Sequence, residues 1–109
     1  FIEVERLEFI SKGNDVGYLH PAYRTALLRQ SQEELRLKAF RNIYLTREDL
    51  RRSIRNERDV VQLVQSKGFE IVDPASLSIK DQISLFSEAK LVIAPHGGAI
   101  TNMIYSIHL

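Results

Sequence analysis

The sequence predicts an α/β protein with a three-layer architecture, in which a parallel β-sheet is flanked by helices. Three observations favour this fold class. From Arg41 onward, short apolar runs alternate with segments of helical periodicity, in the order strand, helix, strand, helix, strand, helix. The connections between these segments are short, and the apolar runs are continuous, as in strands that are buried on both faces. Such alternation is typical of parallel sheets with right-handed crossover connections.

The region before Arg41 predicts one strand and one helix. Residues 4–10 alternate loosely between apolar and polar side chains, and residues 11–17 hold the glycine, asparagine and aspartate of a turn. His20-Pro21 then opens a helix, because proline is favoured at the first helical position. Apolar side chains recur at helical spacing after it, which predicts that this helix continues to about Phe40.

The alternating region begins with a compact β-prone run at residues 43–46, which predicts a strand. Asn56 precedes an apolar stripe and Asp59 follows three residues later, so a helix is expected to start there with an arrangement like a capping box. Gly68 predicts the end of that helix. Residues 69–72 then predict the next strand.

A further helix is expected after Asp73-Pro74, which closes that strand. Ser78 is its predicted cap, with Asp81 at the third helical position. Apolar side chains at helical spacing predict the buried face of this helix: Ile79, Ile83 and Phe86.

A glycine turn follows the last predicted strand. Residues 91–94 form an apolar run, Pro95 blocks its continuation, and Gly97-Gly98 leads into a helix that begins near Ala99. A strand, a tight glycine turn and a helix N-terminus form a layout in which backbone N–H groups and the helix dipole hold an anion. His96, at the mouth of the turn, would add a donor. The alternative is an ordinary βα turn with a surface histidine, and the local pattern leaves both readings open.

Arg47 lies at the carboxyl end of the first strand of the alternating region, where open α/β sheets bind their ligands. The planar guanidinium fork of arginine suits phosphate or carboxylate. Arg47 and His96 therefore fall on the same edge of the predicted sheet. The alternative is that the arginine-rich stretch at residues 47–58, which also contains acidic residues, forms a salt-bridged surface loop.

Composition limits the classes of function. At 109 residues and 44% hydrophobic content, the chain is an ordinary globular sequence of one domain at most. Its formal net charge of +1 gives no charge argument for binding nucleic acid or a membrane. The absence of cysteine excludes disulfides and thiolate metal sites. Because the chain starts at Phe1 and stops soon after the glycine turn, we expect it to be a fragment of a longer protein.

Several motifs with known chemistry are absent. The sequence contains neither the G-x-x-x-x-G-K-[ST] motif of P-loop nucleotidases nor the G-x-G-x-x-G motif of dinucleotide-binding domains. His96-Gly97-Gly98 is similar to the oxyanion-hole turn of esterases, but no G-x-S-x-G nucleophile elbow accompanies it. The histidines lack metal-ligand spacing, and no D-x-D cluster is present, so no metal site is predicted.

Five blocks of sequence, taken in order, resemble a known family. They are Ile-Tyr-Leu-Thr-Arg at residues 43–47, Arg-x-x-x-Asn-Glu at residues 52–57, Gly-Phe-Glu-Ile-Val-x-Pro at residues 68–74, Leu-Ser-x-x-x-Gln-Ile-x-Leu-Phe-x-x-Ala at residues 77–89, and Pro-His-Gly-Gly-Ala-Ile-Thr-Asn at residues 95–102. This series resembles the family-61 glycosyltransferases, which include capsular-polysaccharide biosynthesis proteins and plant and animal sugar transferases. The resemblance covers roughly residues 43 to 106, with His20-Pro21 as a looser match upstream.

The resemblance implies a Rossmann-like, nucleotide-sugar-binding domain over residues 1–109, which forms part of the C-terminal half of a two-domain, GT-B type glycosyltransferase. It implies a nucleotide-sugar donor, typically a UDP-sugar, a glycan or polysaccharide acceptor, inverting transfer, and no metal or other cofactor. Because the N-terminal acceptor domain would be missing, the isolated fragment is expected to be inactive and to self-associate. The implied location is the cytoplasm, at the membrane periphery of a bacterium, with the ER or Golgi lumen of a eukaryote as the alternative.

The resemblance also implies which residues form the site. The residues expected to bind the donor diphosphate are Arg47, Arg52, His96, Gly97, Gly98, Thr101 and Asn102, with Asn56 and Glu57 in supporting roles. His96 is the candidate for stabilising the leaving group, and the general base is expected from the other domain. The usual family order in the turn is Gly-Ala-Gly followed by leucine, whereas this chain has Gly97-Gly98-Ala99 followed by Ile100. A non-catalytic nucleotide- or anion-binding module, acting as a scaffold or pseudoenzyme, is the alternative function.

Overall fold

The computed structural model describes residues 21–47 and 54–106. Their elements, in chain order, are α1 (Pro21–Gln30), β1 (Arg41–Leu45), α2 (Glu57–Ser66), β2 (Glu70–Val72), a short 3₁₀ helix (Pro74–Ser76), α3 (Ile79–Glu88), β3 (Ala89–Ile93) and a long 3₁₀ helix (Gly98–Tyr105). The strand predicted at residues 4–10 and the turn at residues 11–17 lie outside the described residues. Within the described ranges, no helix is long and apolar enough to cross a membrane.

The three strands form a parallel sheet in the order β2-β1-β3, with β1 in the centre. Ile43 pairs with Glu70 of β2 on one side, and Tyr44 pairs with Ile93 of β3 on the other. This sheet and the helices that connect its strands confirm the predicted α/β class with a parallel sheet flanked by helices. Since the strands run in the same direction, their carboxyl ends meet at one edge of the sheet.

The core lies between β1 and α3. Ile43 and Leu45 lie two residues apart on one face of β1 and pack with Leu85, Phe86 and Ala89, all of them buried. Tyr44 alternates to the other face, where its hydroxyl lies 3.5 Å from a carboxylate oxygen at the start of α2. The central strand is therefore covered by side chains on both faces, as a continuous apolar run predicts.

Three apolar side chains depart from the predicted pattern. Ile79 is 76% exposed, so its assignment to the buried face of α3 was wrong, whereas Ile83 and Phe86 are buried as predicted. Ile79 is the first residue of α3 and directly follows the cap residue. Leu91 and Ile93 are 47% and 39% exposed, so β3 is not buried on both faces. In the described sheet β3 is an edge strand, with β1 as its one strand partner.

Helix α1 ends at Gln30, about ten residues before the predicted boundary at Phe40. The chain continues as a turn over residues 31–34 and then forms hydrogen bonds to α3. The hydroxyl of Ser84 donates to the backbone oxygen of Glu34 at 3.0 Å, and the backbone N–H of Arg36 donates to the hydroxyl of Ser87 at 2.9 Å. Helical spacing in the sequence could not reveal these two hydrogen bonds, because their partners in α3 lie some fifty residues away.

The starts of α2 and α3 differ in their caps. The hydroxyl of Ser78 accepts a hydrogen bond from the backbone N–H of Asp81 at 3.1 Å, which confirms the predicted cap of α3. Asn56 precedes α2, but its side chain makes no capping hydrogen bond, and its backbone (φ −112°, ψ 33°) lies outside the extended region that caps adopt. The predicted capping box with Asp59 is therefore wrong. Gly68, with φ +79°, ends α2 as predicted.

The residues before α3 and α2, of which only Ser78 caps its helix, give a matched test of stability. Replacing Ser78 with alanine removes a capping bond and is expected to lower the free energy of unfolding by about 1 kcal/mol. Asn56→Ala removes no such bond, so its expected effect is below about 0.5 kcal/mol. Urea denaturation followed by circular dichroism would measure both values, and equal losses for the two variants would contradict the assigned caps.

The glycine turn leads into a 3₁₀ helix where the sequence predicted an ordinary helix beginning near Ala99. Its boundaries show i to i+3 hydrogen bonds, from the Ile100 N–H to the Gly97 oxygen at 3.1 Å and from the Ser106 N–H to the Met103 oxygen at 3.0 Å. β-Branched side chains, which crowd the preceding turn of an α-helix, occupy Ile100, Thr101 and Ile104 in this segment.

An ion-pair cluster joins the amino ends of the strands. A guanidinium nitrogen of Arg41 lies 2.6 Å from a carboxylate oxygen of Glu70, and another lies 3.1 Å from Glu88. The hydrogen bond from Arg41, with a smaller contribution from its charge, holds the pKa of Glu70 below its ordinary value. This cluster lies at the edge of the sheet opposite to the one where Arg47 follows β1.

The lowered pKa of Glu70 predicts a pH-dependent contribution to stability. In the folded protein Glu70 holds its proton less tightly than in the unfolded chain, so it stabilises the fold above its unfolded pKa of about 4.3. This stabilisation is lost as the pH falls through the folded pKa. Because the pair is partly exposed, Glu70→Gln is expected to cost less than about 1 kcal/mol at pH 7.

Urea denaturation of the Glu70→Gln variant and the unaltered protein between pH 7 and pH 3 would measure this difference. The two stabilities should converge at the acidic end. In an Arg41→Ala background the difference should be small at every pH, and a difference that persists there would contradict the assignment of the shift to Arg41.

Candidate functional site

A cleft of about 320 Å³ lies at the edge of the sheet where the strands end. Its volume is in the lower part of the range of small-molecule sites, about 300 to 1,000 Å³. Three segments, each following one strand, supply its walls. The lining residues are Leu45 at the end of β1 with Thr46 and Arg47 after it, Asp73, Pro74 and Ala75 after β2, and Ala94, Pro95, Gly97, Gly98 and Ala99 after β3. The cleft thus occupies the position where open parallel sheets bind ligands.

Arg47 joins two of these walls. The preceding residue, Thr46, still pairs with β2 through a hydrogen bond from its N–H to the Val72 oxygen at 2.8 Å. The Arg47 side chain then reaches to the segment after β3, where its Nη1 donates to the backbone oxygen of His96 at 3.0 Å. The expectation from sequence that Arg47 and His96 share one edge of the sheet is therefore met by a direct contact.

Gly97 makes room for this arginine. The backbone of Gly97 is extended (φ 177°, ψ 177°), a conformation that any residue adopts, so glycine is not required there for backbone freedom. A Cβ atom at this position, however, would lie 2.7 Å from Nη1 of Arg47 and 3.3 Å from its Cζ. At Gly98 an added Cβ would meet no atom within 4 Å. The two adjacent glycines therefore differ in role, and Gly97 admits the guanidinium.

Glu57 supports Arg47 from the start of α2. Its carboxylate accepts a hydrogen bond from the backbone N–H of Arg47 at 3.2 Å, and the Tyr44 hydroxyl lies 3.5 Å from the same oxygen. Burial of Tyr44, and then the negative charge of Glu57, raise the pKa of Tyr44, so this phenol stays protonated. Glu57 therefore holds the main chain at the point where Arg47 leaves β1, whereas Asn56 is exposed and makes no capping bond.

The other residues predicted for the site lie in different surroundings. His96 and Thr101 are exposed and are not among the residues that line the cleft, and it is the backbone oxygen of His96 that contacts Arg47. The side-chain amide of Asn102 donates to the side-chain oxygen of Gln82 at 2.6 Å. Arg52 lies outside the described residues. The structure thus brings Arg47, Gly97 and Gly98 together in the cleft.

Sequence reasoning missed the wall that follows β2. Asp73, Pro74 and Ala75 line the cleft, and the Asp73 carboxylate accepts a hydrogen bond from the Ala75 N–H at 3.0 Å. The rule that placed Arg47 at the carboxyl edge of the sheet applies equally to Asp73-Pro74, which directly follows a predicted strand. Gln82 was also not named as a site residue, although the block at residues 77–89 that resembles the family includes it.

Comparisons with known proteins add a family match. A family model described as Glycosyltransferase 61 matches residues 2–107 of the chain. The match includes all of the described residues and extends upstream of the blocks in which the resemblance was recognised. Comparison with curated proteins finds no match, and neither does comparison with solved structures.

Proposed function

This chain belongs to glycosyltransferase family 61, and we therefore propose that it binds the nucleotide-sugar donor of a glycosyltransferase. In this proposal the intact protein transfers a sugar from a UDP-sugar to a glycan or polysaccharide acceptor, with inversion and without a metal. The chain supplies a Rossmann-like part of the C-terminal half of a GT-B type enzyme. The mass of the complete gene product tests the last point, since a native length of 109 residues would contradict it.

The observation that carries the proposal is the approach of Arg47 to the glycine turn within one cleft. When the bond between the sugar and the diphosphate breaks, negative charge grows on the leaving diphosphate. Without a metal, that charge must be stabilised by cationic side chains and backbone N–H groups. Arg47 and the segment around Gly97-Gly98 offer both kinds of group at the edge where open parallel sheets bind ligands. Arg52 is proposed to assist, and His96 to stabilise the leaving group.

The reaction has a simple balance in this proposal. The oxygen of an acceptor hydroxyl forms a bond to the anomeric carbon as that carbon loses its bond to the diphosphate oxygen. The electron pair leaves with the diphosphate, and the hydroxyl proton passes to a general base. That base belongs to the acceptor half of the protein, so the residues described in this chain act on the leaving group.

Calorimetric titration of the intact protein with UDP, and separately with uridine, tests donor binding. We expect saturable binding of UDP and much weaker binding of uridine, because uridine lacks the diphosphate that Arg47 is proposed to hold. Equal binding of the two would contradict the assignment of the cleft to the diphosphate. Absence of UDP binding would contradict the donor-binding function itself.

A non-catalytic, nucleotide-binding module is the alternative. It is favoured by Ala99, which lines the cleft at a position where the family resemblance implies glycine. A methyl group there narrows the space next to the turn. Incubation of the intact protein with UDP-sugars and glycan acceptors separates the two functions, because a pseudoenzyme would bind UDP but release none from a UDP-sugar.

A further inference from the structure

We propose that Gln82 is a positioning residue of the cleft, and that Asn102 acts through Gln82 rather than by contact with the ligand. The inference rests on the proposed donor-binding function. It concerns a residue of α3 that does not line the cleft, and it assigns to Asn102 a role different from the direct donor contact expected from the sequence.

The side chain of Gln82 forms three hydrogen bonds. Its amide nitrogen donates to the backbone oxygens of Pro74 at 2.9 Å and Leu77 at 3.2 Å, and its oxygen accepts from the side-chain nitrogen of Asn102 at 2.6 Å. The chemistry of the partners determines which atom is which. Two backbone oxygens can only accept, so they face the nitrogen of Gln82, and the remaining oxygen then requires the nitrogen of Asn102.

These bonds tie two opposite walls of the cleft to one side chain. Pro74 is buried and belongs to the wall after β2. Asn102 lies in the long 3₁₀ helix, and the first residues of that helix, Gly98 and Ala99, belong to the wall after β3. Gln82 lies behind both walls, on the rigid support of α3. It therefore sets the distance between the segment after β2 and the glycine turn.

Both walls need such a support because each is built on a 3₁₀ segment. Hydrogen bonds in 3₁₀ helices have poorer geometry than those in α-helices, and such segments hold their position less firmly alone. Inside the short 3₁₀ helix, the Pro74 oxygen accepts one further bond, from the Leu77 N–H at 3.3 Å. Loss of the Gln82 amide would leave that longer bond, so the Pro74 wall would open more readily.

The test is a double-mutant cycle in the intact protein, with UDP as the probe. Gln82→Met keeps the length of the side chain but removes its hydrogen bonds, and Asn102→Ala cuts the tie to the 3₁₀ helix alone. We expect Gln82→Met to raise the Kd for UDP roughly tenfold. Misplacement of a catalytic group by about 1 Å can lower a rate ~100-fold, and Gln82 acts on the ligand only through the cleft walls, so a smaller effect is expected. If Asn102 acts through Gln82, Asn102→Ala should weaken binding in the unaltered protein but not in the Gln82→Met background.

Ser78→Ala provides the matched control, because it destabilises the same helix without touching Pro74 or Asn102. It should lower stability and leave the Kd for UDP unchanged. The proposal is overturned if Ser78→Ala weakens binding as much as Gln82→Met does, or if Gln82→Met binds UDP like the unaltered protein. If Asn102→Ala retains its full effect in the Gln82→Met background, Asn102 contacts the ligand directly, and this part of the proposal is wrong.

A second readout separates this inference from the donor-binding function. The N–H of Ala75, in the wall after β2, donates to Asp73 at 3.0 Å, and the N–H of Ile100 donates to the oxygen of Gly97, in the wall after β3, at 3.1 Å. Gln82→Met should make their hydrogen exchange about tenfold faster through easier local opening, and Ser78→Ala should not. If the unaltered protein fails to bind UDP, the donor-binding function is contradicted. The exchange rates would still show whether Gln82 holds the two walls of the cleft in place.

Discussion

Replacing Arg47 with alanine is expected to lower kcat/KM for sugar transfer by the intact protein about 10²- to 10³-fold, the loss typical of one group that stabilises transition-state charge. The guanidinium lies at the cleft, where it contacts the His96 oxygen beside the glycine turn. Negative charge on the diphosphate is greater in the transition state than in the bound donor. We therefore expect a larger fall in kcat than rise in KM. Steady-state rates with a UDP-sugar and a glycan acceptor give both constants.

Arg58→Ala is the matched control for this variant. Arg58 is an exposed arginine on α2, outside the residues that line the cleft, so its loss changes the net charge equally and should leave kcat/KM within about twofold of the unaltered protein. Arg47→Lys should fall between the two, because lysine keeps the charge but lacks the planar fork. Unchanged turnover of Arg47→Ala would contradict the assigned role.

Folding of Arg47→Ala is expected to change little, which keeps the kinetic result interpretable. The hydrogen bond that Glu57 accepts from Arg47 comes from the backbone N–H, so this support survives the substitution. Among the bonds of its side chain, the one to the His96 oxygen lies at the exposed mouth of the cleft. A change in the free energy of unfolding below about 1 kcal/mol is expected, and a much larger loss would mean that Arg47 is mainly structural.

The class of the fold and the edge that holds the cleft followed from the sequence because they depend on short-range signals. Residues 43–46 and 69–72 are short, mainly apolar runs with β-prone side chains. Strands of this kind in a parallel sheet have their carboxyl ends at one edge, and no side-chain contact needs to be known to predict this. Ser78 and Gly68 act within one turn of their own helices. Each of these predictions needed information from only a few neighbouring residues.

Other features depended on partners distant in the chain, and local signals could not predict them. The helix predicted to reach Phe40 is replaced beyond residue 33 by a segment in which Glu34 and Arg36 bond to serines of α3, and no property of residues 31–40 alone reveals those serines. The link between Gln82 and Asn102 has the same character, since both residues are polar side chains at helical positions in the sequence. The sequence predicts a tight turn at Gly97-Gly98, but it does not reveal that a Cβ atom at Gly97 would meet the side chain of Arg47.

Replacing Gly97 with alanine is therefore expected to act through Arg47. The new Cβ would lie 2.7 Å from Nη1, closer than carbon and nitrogen atoms can approach without a bond, so the guanidinium must move. Because the obstructed atoms are the end of a flexible side chain, the cost in stability should stay below about 1 kcal/mol. Displacement of the charge from its place should lower kcat/KM about 10- to 100-fold, as misplacement of catalytic groups by about 1 Å does.

A double-mutant cycle with Arg47→Ala identifies the cause. If Gly97→Ala acts by displacing the guanidinium, it should lose nearly all of its effect once Arg47 is alanine, and the two substitutions should be strongly non-additive. Gly98→Ala is the matched comparison, since its Cβ would meet no atom within 4 Å and leaves the guanidinium in place. Any effect of Gly98→Ala should persist in the Arg47→Ala background. Additive losses for Gly97→Ala would instead mean that the methyl group obstructs the ligand or the turn directly.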